Sequence, residues 1–579
     1  MTEPTIPAVL RERASLQPND AAFTFIDYDK DWNGHAETLT WGQLYRRTVN
    51  LAAELSECAA IGDRAVIVAP QGLEYLVGFL GSLQAGLIAV PLSTPIVGGH
   101  DERVRAVIDD CAPAVLLTTS AIAEVVAEYA TAVDGRPAPK VIAIDQFDLD
   151  GRRRPAPRRV DRPETAYLQY TSGSTRTPAG VMVSYENLSA NFRQMVAAYF
   201  QEFAGVAPAD TTAVSWLPFY HDMGLLLGVC APILGGWHSV FTTPLSFLAR
   251  PARWMQLLAS YPRALTAGPN FAFELTIGKT TDEDMEGHDL GDVVAVISGS
   301  ERVHDATLKR FISRFGKFNL RDTVIRPSYG LAEATLYVAT ADAGRPPKVV
   351  SFDTEKLSAG RAEPLVGEGG TPLVSYGVPS NPAVRIVDAE TCAEAPAGTV
   401  GEIWVQGPNV CLGYWQRPEQ SERVFGARIV DPAPGTPEGT WLRTGDLGFV
   451  SEGELFIVGR MKDLLIVRGR NHYPDDIEAT IQEITKGRVA AIPVEVDRTE
   501  QLVAIIEVRQ RPEDAAEARE RFAALKAELT SAITNAHGIS PADLVLVGRG
   551  AIPITTSGKV RRASCVEMYN RGEFARLDA

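Results

Sequence analysis

A cluster of small hydroxyl side chains around a glycine is the first stretch of this sequence whose residue types could do chemistry. Residues 170–180 read YTSGSTRTPAG and follow an apolar run, AYLQY, that is typical of a β-strand. Hydroxyl and backbone N–H groups on a glycine-containing turn suit phosphate oxygens, because many small donors converge there without steric cost. The stretch is not a Walker A loop, which requires G-x-x-x-x-G-K-[ST]. Taken alone, such a run is more often a plain loop.

Five further stretches with polar or charged residues follow in a fixed order. Considered singly, their residues have ordinary structural explanations: Asp446 as the cap of a turn, Tyr329 as part of the core, and Lys559 as an exposed lysine on a loop. The specific signal is that six such stretches occur together in one order. The five are WLPFYHDMG (216–224), PSYGLAEAT (327–335), WLRTGD (441–446), VGRMKDLLIVRGR (458–470) and PITTSGKVRR (553–562).

In these six stretches the chain resembles the ATP-dependent adenylate-forming superfamily of acyl-CoA synthetases, peptide-synthetase adenylation domains and luciferases. Within it, the chain is most similar to the fatty acyl-AMP ligases of the mycobacterial type. Their phosphate loop reads TSGSTRTPAG and their hinge stretch reads GR-x-KDLLIV-x-GRNH, as here. Most other relatives carry Gly at the place of Arg176 and Lys at the place of Ala179. The resemblance covers essentially the whole chain.

The resemblance implies residues for an ATP site. The phosphate loop would wrap the β- and γ-phosphates, with Arg176 supplying the cation that a lysine supplies in most relatives. Tyr329 would stack on adenine, while Asp446 would accept hydrogen bonds from both ribose hydroxyls and Arg460 would reach the same ribose. Glu333 would hold Mg²⁺, a hard cation that prefers carboxylate and phosphate oxygens. The other nucleotide residues implied are Thr171, Ser172, Gly173, Ser174, Thr175, Ser300 in the SGSER turn (298–302), Ser328, Gly330 and Ala332.

The resemblance also implies residues for catalysis. Lys559 would bind the attacking carboxylate and the α-phosphate together, neutralising charge in the transition state. A catalytic lysine on a small C-terminal domain requires that domain to close over the large one, and Lys462 matches the family's hinge position. His221, in FYHDMG, would lie next to the acid-binding end of the pocket. The apolar tract after it, GLLLGVCAPILGG, fits the wall of an acyl tunnel and fits ordinary core equally well.

Alternating helix and strand patterns must position these residues. In the first half, RAVIVAP (64–70), LIAVPL (87–92) and AVLLTTS (114–120) predict strands, and LEYLVGFLGSLQAG predicts a helix between the first two. This β-α-β alternation predicts a parallel α/β sheet. From about residue 384, short alternating runs between glycine-rich turns predict an antiparallel β region. After Arg460 a compact α+β pattern follows.

These patterns and the resemblance together predict the α/β fold of an adenylate-forming enzyme. We expect a large N-terminal domain with mixed and parallel sheets flanked by helices, a β-rich subdomain within it, and a small mobile α+β C-terminal domain that carries the lysine. The stretch between Glu333 and the VRIVD strand is longer than in most acyl-CoA ligases. Packed against the path of the small domain, such an insertion would restrict its second conformation and disfavour CoA. The expected ranges are 1–459 (large domain), about 384–459 (β-rich subdomain), about 345–375 (family insertion), 460–462 (hinge) and 463–579 (small domain).

Composition limits the class of protein. The 579 residues are too many for one core, and 45% hydrophobic with 22% charged residues is ordinary for a globular protein. The net charge of −16 argues against a nucleic-acid partner held through phosphate contacts. Six scattered cysteines form no C-x-x-C pair, which fits reduced thiols in a cytoplasmic protein. The uncharged stretch 75–99 is interrupted by glycine and proline, and it predicts a buried helix, a turn and a strand, with no transmembrane segment.

The function expected from the resemblance is ATP-dependent activation of a long-chain fatty acid to an acyl-adenylate, with release of pyrophosphate. The acyl group would then pass to the phosphopantetheine thiol of an acyl carrier protein or polyketide synthase for lipid biosynthesis. No G-x-S-x-G elbow of a hydrolase occurs in the sequence. Two alternatives stay open: a long-chain fatty acyl-CoA ligase, and a non-catalytic relative that binds fatty acid or nucleotide. Lys559, Glu333 and Asp446 argue against the second.

Overall fold

The computed structural model describes most of the chain, with short gaps. The described residues are 5–95, 101–132, 137–152, 162–170, 178–367, 369–467, 470–496, 499–508, 515–555 and 558–578. The strands are β1 Ala21–Asp27, β2 His35–Thr40, β3 Arg64–Val68, β4 Ile88–Leu92, β5 Val115–Thr118, β6 Lys140–Ala143, β7 Thr165–Tyr170, β8 Gly180–Ser184, β9 Thr212–Ser215, β10 His238–Phe241, β11 Ala264–Gly268, β12 Ala295–Ser298, β13 Ile325–Gly330, β14 Tyr337–Thr340, β15 Val349–Phe352, β16 Thr371–Val374, β17 Ala383–Val387, β18 Gly401–Gln406, β19 Leu442–Ser451, β20 Glu454–Arg460, β21 Leu465–Val467, β22 Arg470–His472, β23 Val489–Val496, β24 Thr499–Glu507 and β25 Asp543–Val547.

Helices connect and cover these strands. They are α1 Ile6–Leu16, α2 Trp41–Ser56, α3 Leu73–Ala85, α4 Glu102–Cys111, α5 Ala123–Ala127, α6 Tyr185–Tyr199, α7 Asp222–Leu225, α8 Ala231–Gly235, α9 Pro244–Ala249, α10 Ala252–Ser260, α11 Asn270–Lys279, α12 Asp305–Phe315, α13 Thr354–Ser358, α14 Pro418–Phe425, α15 Pro474–Thr485, α16 Ala515–His537 and α17 Arg562–Asn570. A π-helical turn, Leu226–Cys230, joins α7 to α8, and the 3₁₀ turns Ala332–Ala334 and Met461–Asp463 follow β13 and β20.

Two large sheets form the first part of the chain, and both are mainly parallel. One has the order β6-β5-β3-β4-β7-β8 and is parallel except for the β7–β8 pair. The other has the order β14-β13-β12-β11-β9-β10-β1-β2 and is parallel apart from its two edge pairs. The predicted strands at 64–70, 87–92 and 114–120 are β3, β4 and β5. The parallel α/β prediction is therefore confirmed.

The uncharged stretch 75–99 begins within a buried helix and continues into β4, as predicted. Two glycines explain how α3 packs so closely. A Cβ on Gly81 would lie 2.8 Å from the Leu51 side chain of α2, and one on Gly78 would lie 2.8 Å from the Ile144 side chain. The helix ends at Gly86, whose φ of +79° closes the last turn. Among the helices of the described ranges, none is both long enough and apolar enough to cross a membrane.

An antiparallel sheet of order β17-β18-β19-β20 confirms the predicted β-rich region. The two strands β15 and β16 pair antiparallel beside it, within the expected insertion. Phe352 of β15 packs edge-on against Phe449 and Phe456, with ring centroids 4.9 and 5.1 Å away. The same apolar cluster holds Leu357 of α13 and Tyr473.

The C-terminal part of the chain has its own sheet and its own core. The order is β23-β24-β25; α15 and α17 pack on β23, and α16 packs against α15. The two apolar clusters formed here contain only residues from Leu465 onward, including Ile477, Leu529 and Ile533. These separate cores support the boundary predicted at 459–462, which stays a prediction.

Candidate active site

The end of strand β13 is held by a close approach between two backbones. Gly330 is the last residue of β13 and lies opposite Tyr337 of β14. An ideal Cβ on Gly330 would lie 1.6 Å from the carbonyl oxygen of Leu336. No side chain fits there, so glycine is required by the path of the chain. The turn that follows carries Ala332 and Glu333, which places three of the expected site residues on one short segment.

Tyr329, Asp446 and Arg460 form one hydrogen-bonded group. The Tyr329 hydroxyl donates to Oδ2 of Asp446 at 2.8 Å, and Nε of Arg460 lies 3.2 Å from Oδ1. Asp446 and Arg460 face each other across the β19–β20 pair. Burial, followed by the nearby carboxylate, raises the pKa of Tyr329 well above its usual value, so the phenol stays a donor.

The ordinary structural explanation of Asp446 from the sequence was the cap of a turn, but the residue lies within strand β19. The preceding Gly445 has a φ of +71°, and the pairing register shifts between Leu447 and Gly448. This irregularity bends the strand locally, so sequence reasoning interpreted it as a turn. The Asp446 carboxylate is therefore presented to the site from a strand and not from a turn.

Glu333 is held by a tyrosine from a distant segment. The Tyr414 hydroxyl donates to Oε1 of Glu333 at 2.9 Å, and the backbone N–H of Cys411 donates to the Glu333 carbonyl at 2.9 Å. Burial raises the pKa of Glu333, against its hydrogen bonds and the charge of Arg460. Within the described residues, no three His, Cys, Asp or Glu side chains come together to hold a metal. One carboxylate beside the residues expected to bind a nucleotide fits Mg²⁺, which takes one or two carboxylates and completes its shell with phosphates and water.

His221 forms a close pair with its neighbour. Its Nδ1 lies 2.6 Å from Oδ1 of Asp222, and the backbone N–H of Met223 donates to the same oxygen at 2.7 Å. The Met223 N–H also lies 3.4 Å from Nδ1, but the much shorter contact with the carboxylate favours a proton on Nδ1, which leaves Nε2 for another partner. Burial would raise the pKa of Asp222, but His221 and then Lys559 outweigh it, and the pKa lies below its ordinary value.

Lys559 lies at the cleft between the two parts of the chain. Its loop is closed by hydrogen bonds from the Thr555 N–H to the Lys559 carbonyl at 2.7 Å and from the Lys559 N–H to Oγ1 of Thr555 at 3.1 Å. Gly558, with φ of +89°, passes against Phe271 of α11. Burial lowers the pKa of Lys559, and Arg460 lowers it further.

Carboxylates from three separate segments of the large part are close enough to act electrostatically on the same ammonium. These carboxylates belong to Glu301, Asp222 and Asp446, and their negative charges oppose the lowering of the Lys559 pKa. The structure therefore brings together the lysine, the His221–Asp222 pair and the Tyr329–Asp446–Arg460 group. A cleft with these members can bind an anion beside a nucleotide and neutralise charge on it.

Other expected residues have different surroundings. Ser328 turns its hydroxyl toward β14, donating to the Arg326 carbonyl at 3.2 Å and lying 2.8 Å from Oγ1 of Thr340. Ser300 has φ of +68° and points its hydroxyl at the Met223 sulfur, 3.6 Å away. Lys462 lies in the 3₁₀ turn directly after β20, where burial lowers its pKa. The phosphate-loop residues Thr171, Ser172, Gly173, Ser174, Thr175 and Arg176 lie outside the described residues, so their roles stay predictions.

Four residues of the site were not singled out from the sequence. Asp222 follows His221 directly, and Glu301 and Arg302 stand in the SGSER turn, so these three had a local signal. Burial raises the pKa of Glu301, whose carboxylate accepts from the Phe271 N–H at 3.3 Å. Tyr414 has no motif around it, and only the fold brings it to Glu333.

The tract GLLLGVCAPILGG, for which tunnel wall and core were both open, is buried and lines a narrow apolar cavity. It forms α7, the π-helical turn and α8. The cavity is about 10 Å³, room for roughly one water. An acyl chain could enter only if these side chains move. The lining residues are Phe192, Met195, Val196, Tyr199, Phe200, Leu227, Ala231, Trp237, Leu265 and Ala295.

Comparison with known proteins gives matches over nearly the whole chain. Residues 10–415 match the family described as AMP-binding enzyme, and residues 462–578 match the Disco-interacting protein 2-like AMP domain. The chain is 60% identical over 580 residues to the long-chain-fatty-acid–AMP ligase FadD28 of Mycobacterium tuberculosis, covering 100% of both chains. It is 60% identical over 581 residues to another M. tuberculosis protein, provisionally named fatty-acid–CoA ligase fadD25, again covering 100% of both.

A solved structure also matches the whole chain, at lower sequence identity. It is the fatty acyl-adenylate ligase of Legionella pneumophila in complex with acyl adenylate and pyrophosphate, at 31% identity and a TM-score of 0.73. The match covers 100% of this chain and 98% of that one. The expected fold of an adenylate-forming enzyme is thereby confirmed.

Proposed function

The chain belongs to the AMP-binding enzyme family, and on that premise we propose that it is a ligase that activates a long-chain fatty acid with ATP to acyl-AMP and pyrophosphate. The observation that carries this proposal is the cleft in which buried Lys559 lies within electrostatic reach of the Tyr329–Asp446–Arg460 group. A non-catalytic binding protein would not need a lysine directed there from a separate domain. The relatives at 60% identity, one of them a long-chain-fatty-acid–AMP ligase, support the same reaction.

The chemistry is an in-line substitution at phosphorus. An oxygen of the fatty acid carboxylate forms a bond to the α-phosphorus of ATP, and the bond from that phosphorus to the bridging oxygen breaks, so pyrophosphate leaves with the electron pair. No proton moves in this step. Two anionic groups must approach each other, and the ammonium of Lys559 offsets their repulsion. Catalysis therefore consists of positioning and charge stabilisation.

Different residues of the cleft are proposed to bind the ribose, the fatty acid carboxylate and the metal ion. Asp446, fixed by Tyr329 and Arg460, offers carboxylate oxygens to the ribose hydroxyls. His221, with Nδ1 committed to Asp222, presents Nε2 to the fatty acid carboxylate. Glu333 would hold Mg²⁺, which when bound supplies positive charge against the phosphates.

The acceptor of the acyl group is proposed to be a phosphopantetheine thiol on an acyl carrier protein or polyketide synthase in the cytoplasm. The thiol sulfur attacks the acyl carbonyl, AMP leaves, and the thiol proton is released. The support comes from the expected insertion. Its Phe352 and Leu357 share an apolar cluster with Tyr473, and Met461 in the expected hinge and Leu464 just after it pack on that cluster. Such packing resists the domain rotation that a second active conformation needs.

The alternative, an acyl-CoA ligase, keeps one observation in its favour. One of the relatives at 60% identity bears the name of a CoA ligase, although the chain resembles both relatives equally. Sequence identity alone therefore does not decide whether the acceptor thiol belongs to CoA or to a carrier protein.

One experiment decides between the two acceptors. The protein is incubated with ATP, Mg²⁺ and dodecanoic acid, together with either CoA or a phosphopantetheinylated carrier protein, and the products are resolved by mass. Acyl-AMP that persists with CoA and moves to the carrier is the expected result. Rapid formation of acyl-CoA would overturn the carrier assignment, and absence of pyrophosphate would overturn the enzyme assignment as a whole.

A further inference from the structure

One buried ion pair crosses from the large part of the chain to the small part. Arg302 follows strand β12, and its Nη2 lies 2.6 Å from Oδ1 of Asp476 in the first turn of α15. Nη1 of the same guanidinium lies 3.5 Å from the carbonyl oxygen of Val458. The Arg302 side chain is 8% exposed and that of Asp476 18%. Both ends of this guanidinium thus have protein partners.

A second arginine continues the connection toward the catalytic loop. Arg562 donates from Nη2 to Asp475 at 2.6 Å, and from Nε and Nη2 to the two oxygens of Glu478 at 2.9 and 2.7 Å. Asp475 is adjacent to Asp476, and Arg562 stands three residues after Lys559. The first turn of α15 is therefore bound from one side by Arg302 and from the other by the segment that carries the lysine.

Arg562 also contacts the residue directly after the expected hinge. Its Nη1 lies 3.4 Å from Oδ2 of Asp463, the last residue of the 3₁₀ turn after β20. The basic groups near the two aspartates of α15 are Arg302 and His304 from the large part and Arg562 and His537 from the small part. Positive charge from both domains thus converges on one helical turn, where the helix N-terminus also favours the carboxylates.

The Arg302–Asp476 pair can form only when the small domain is closed. If the domain turns away, each charge must find water or another partner, because a buried charge without its partner is strongly unfavourable. The pair therefore stabilises the arrangement in which Lys559 lies in the cleft. It contributes nothing to an arrangement in which α15 has moved elsewhere.

We propose that Arg302 is a positioning residue for adenylation, which holds α15 and, through Asp475 and Arg562, the Lys559 loop in the closed arrangement. The inference rests on the proposed function, because it assigns Arg302 to the first of the two half-reactions. Removal of the pair slows formation of acyl-AMP. It leaves transfer of a preformed acyl group unaffected, because that step does not need Lys559 in the cleft.

The test measures the half-reactions separately in Arg302→Gln, Asp476→Asn and the double variant. Adenylation is followed by pyrophosphate release from ATP and dodecanoic acid, and transfer by mass after purified dodecanoyl-AMP is added with a phosphopantetheinylated carrier. Each single variant is expected to lose about tenfold or more in kcat for adenylation, with KM for ATP and the transfer rate changed by less than about twofold. The double variant is expected to be no worse than either single one, because both remove one interaction.

A matched control is the exposed pair of Arg310 and Glu274, which joins α12 to α11 within the large part at 2.5 Å. Arg310→Gln is expected to leave both half-reactions unchanged. If Arg302→Gln folds poorly, Asp476→Asn removes the same pair from the more exposed side.

The inference would be overturned by no loss of adenylation, by an equal loss in both half-reactions, or by a loss expressed only in KM for ATP, which would make Arg302 a nucleotide contact. Additive effects in the double variant would also contradict it. A wild-type protein that releases no pyrophosphate would instead overturn the proposed function, so the two failures are distinguishable.

Discussion

The hydroxyl of Tyr329 donates a 2.8 Å hydrogen bond to the carboxylate of Asp446, which connects the end of the parallel sheet to the antiparallel one. The bond fixes the carboxylate that is proposed to bind the ribose. It also means that Tyr329 has a role besides offering a ring to adenine, a stacking role that stays a prediction.

Replacement of Tyr329 by Phe keeps the ring and removes this hydrogen bond. A hydrogen bond to a charged group is worth about 1.5–3 kcal/mol, so KM for ATP is expected to rise about tenfold while kcat changes little. Steady-state pyrophosphate release measures both constants. Tyr569→Phe is the matched control, because Tyr569 donates a similar 3.1 Å bond to Asp543 within the small part of the chain. An unchanged KM would show that Arg460 alone fixes the carboxylate.

The lowered pKa of Lys559 predicts a pH limit on adenylation. The charged ammonium is the active form, and burial shifts its pKa below the ordinary lysine value of 10.5. As pH rises, activity should therefore fall earlier than an ordinary lysine would allow. The measurement is kcat for pyrophosphate release at saturating substrates across the alkaline range.

Lys559→Ala supplies the control for that profile. Its residual adenylation, lower by about 10²–10³-fold, is expected to lack the alkaline limb, and its transfer from supplied acyl-AMP is expected to persist. The same limb in the alanine variant would assign the titration to another group.

The insertion can be shortened without breaking its strand pair. Phe352 and Thr371 face each other at the ends of β15 and β16, so an Asn-Gly turn can replace residues 353–370. This removes α13 and the Leu357 contact near the hinge. Formation of acyl-CoA is expected to rise by about tenfold or more, with adenylation retained.

A point variant in the same segment tests whether loss of a polar contact alone, without loss of the apolar packing, changes the acceptor. Lys356→Gln breaks the exposed ion pair with Glu363 but leaves the apolar packing in place, and it should produce no acyl-CoA. A shortened protein that adenylates normally and still rejects CoA would remove the insertion as the cause.

His238 should make stability depend on pH. Burial lowers its pKa to about 4, and its Nε2 lies 2.8 Å from Oγ1 of Thr24. Between that pKa and the unfolded value of about 6.5, the unfolded chain binds a proton that the folded chain does not, so stability falls as pH drops through this window. From pH 7 to pH 5 the loss from this group is up to about 2 kcal/mol.

Urea unfolding of His238→Gln measures that contribution. The variant is expected to show a smaller difference in unfolding free energy between pH 7 and pH 5, whereas exposed His35→Gln should behave like wild type. Equal pH dependence in all three proteins would mean that other groups dominate acid destabilisation.

Local patterns were enough to predict the main strands, whereas the site residues were indicated by the resemblance that six ordered stretches carry, and their roles stay predictions. Tyr329, Glu333, Asp446 and Lys559 each stand in a distinctive stretch, so the sequence indicated them before their distances were known. The strands β3, β4 and β5 were equally clear, because buried parallel strands are short apolar runs.

What escaped prediction depends on pairing between distant segments. Tyr414 bonds to Glu333 across 81 residues, and nothing in its own neighbourhood marks it. Arg302 had a motif around it, but its partner Asp476 is an ordinary helix-start acid, favourable at any helix N-terminus. A single sequence does not show which residues from distant segments contact each other. Asp446 was misplaced in a turn because Gly445, a turn residue by type, here bends a strand.

Gly330 has a consequence at the level of the gene. Every codon for glycine begins with two guanines, and any single-base change at either of those positions encodes another residue or a stop. Because a Cβ at position 330 would lie 1.6 Å from the Leu336 carbonyl oxygen, each such change would place atoms where none fit. Neutral drift at this codon is therefore confined to its third base.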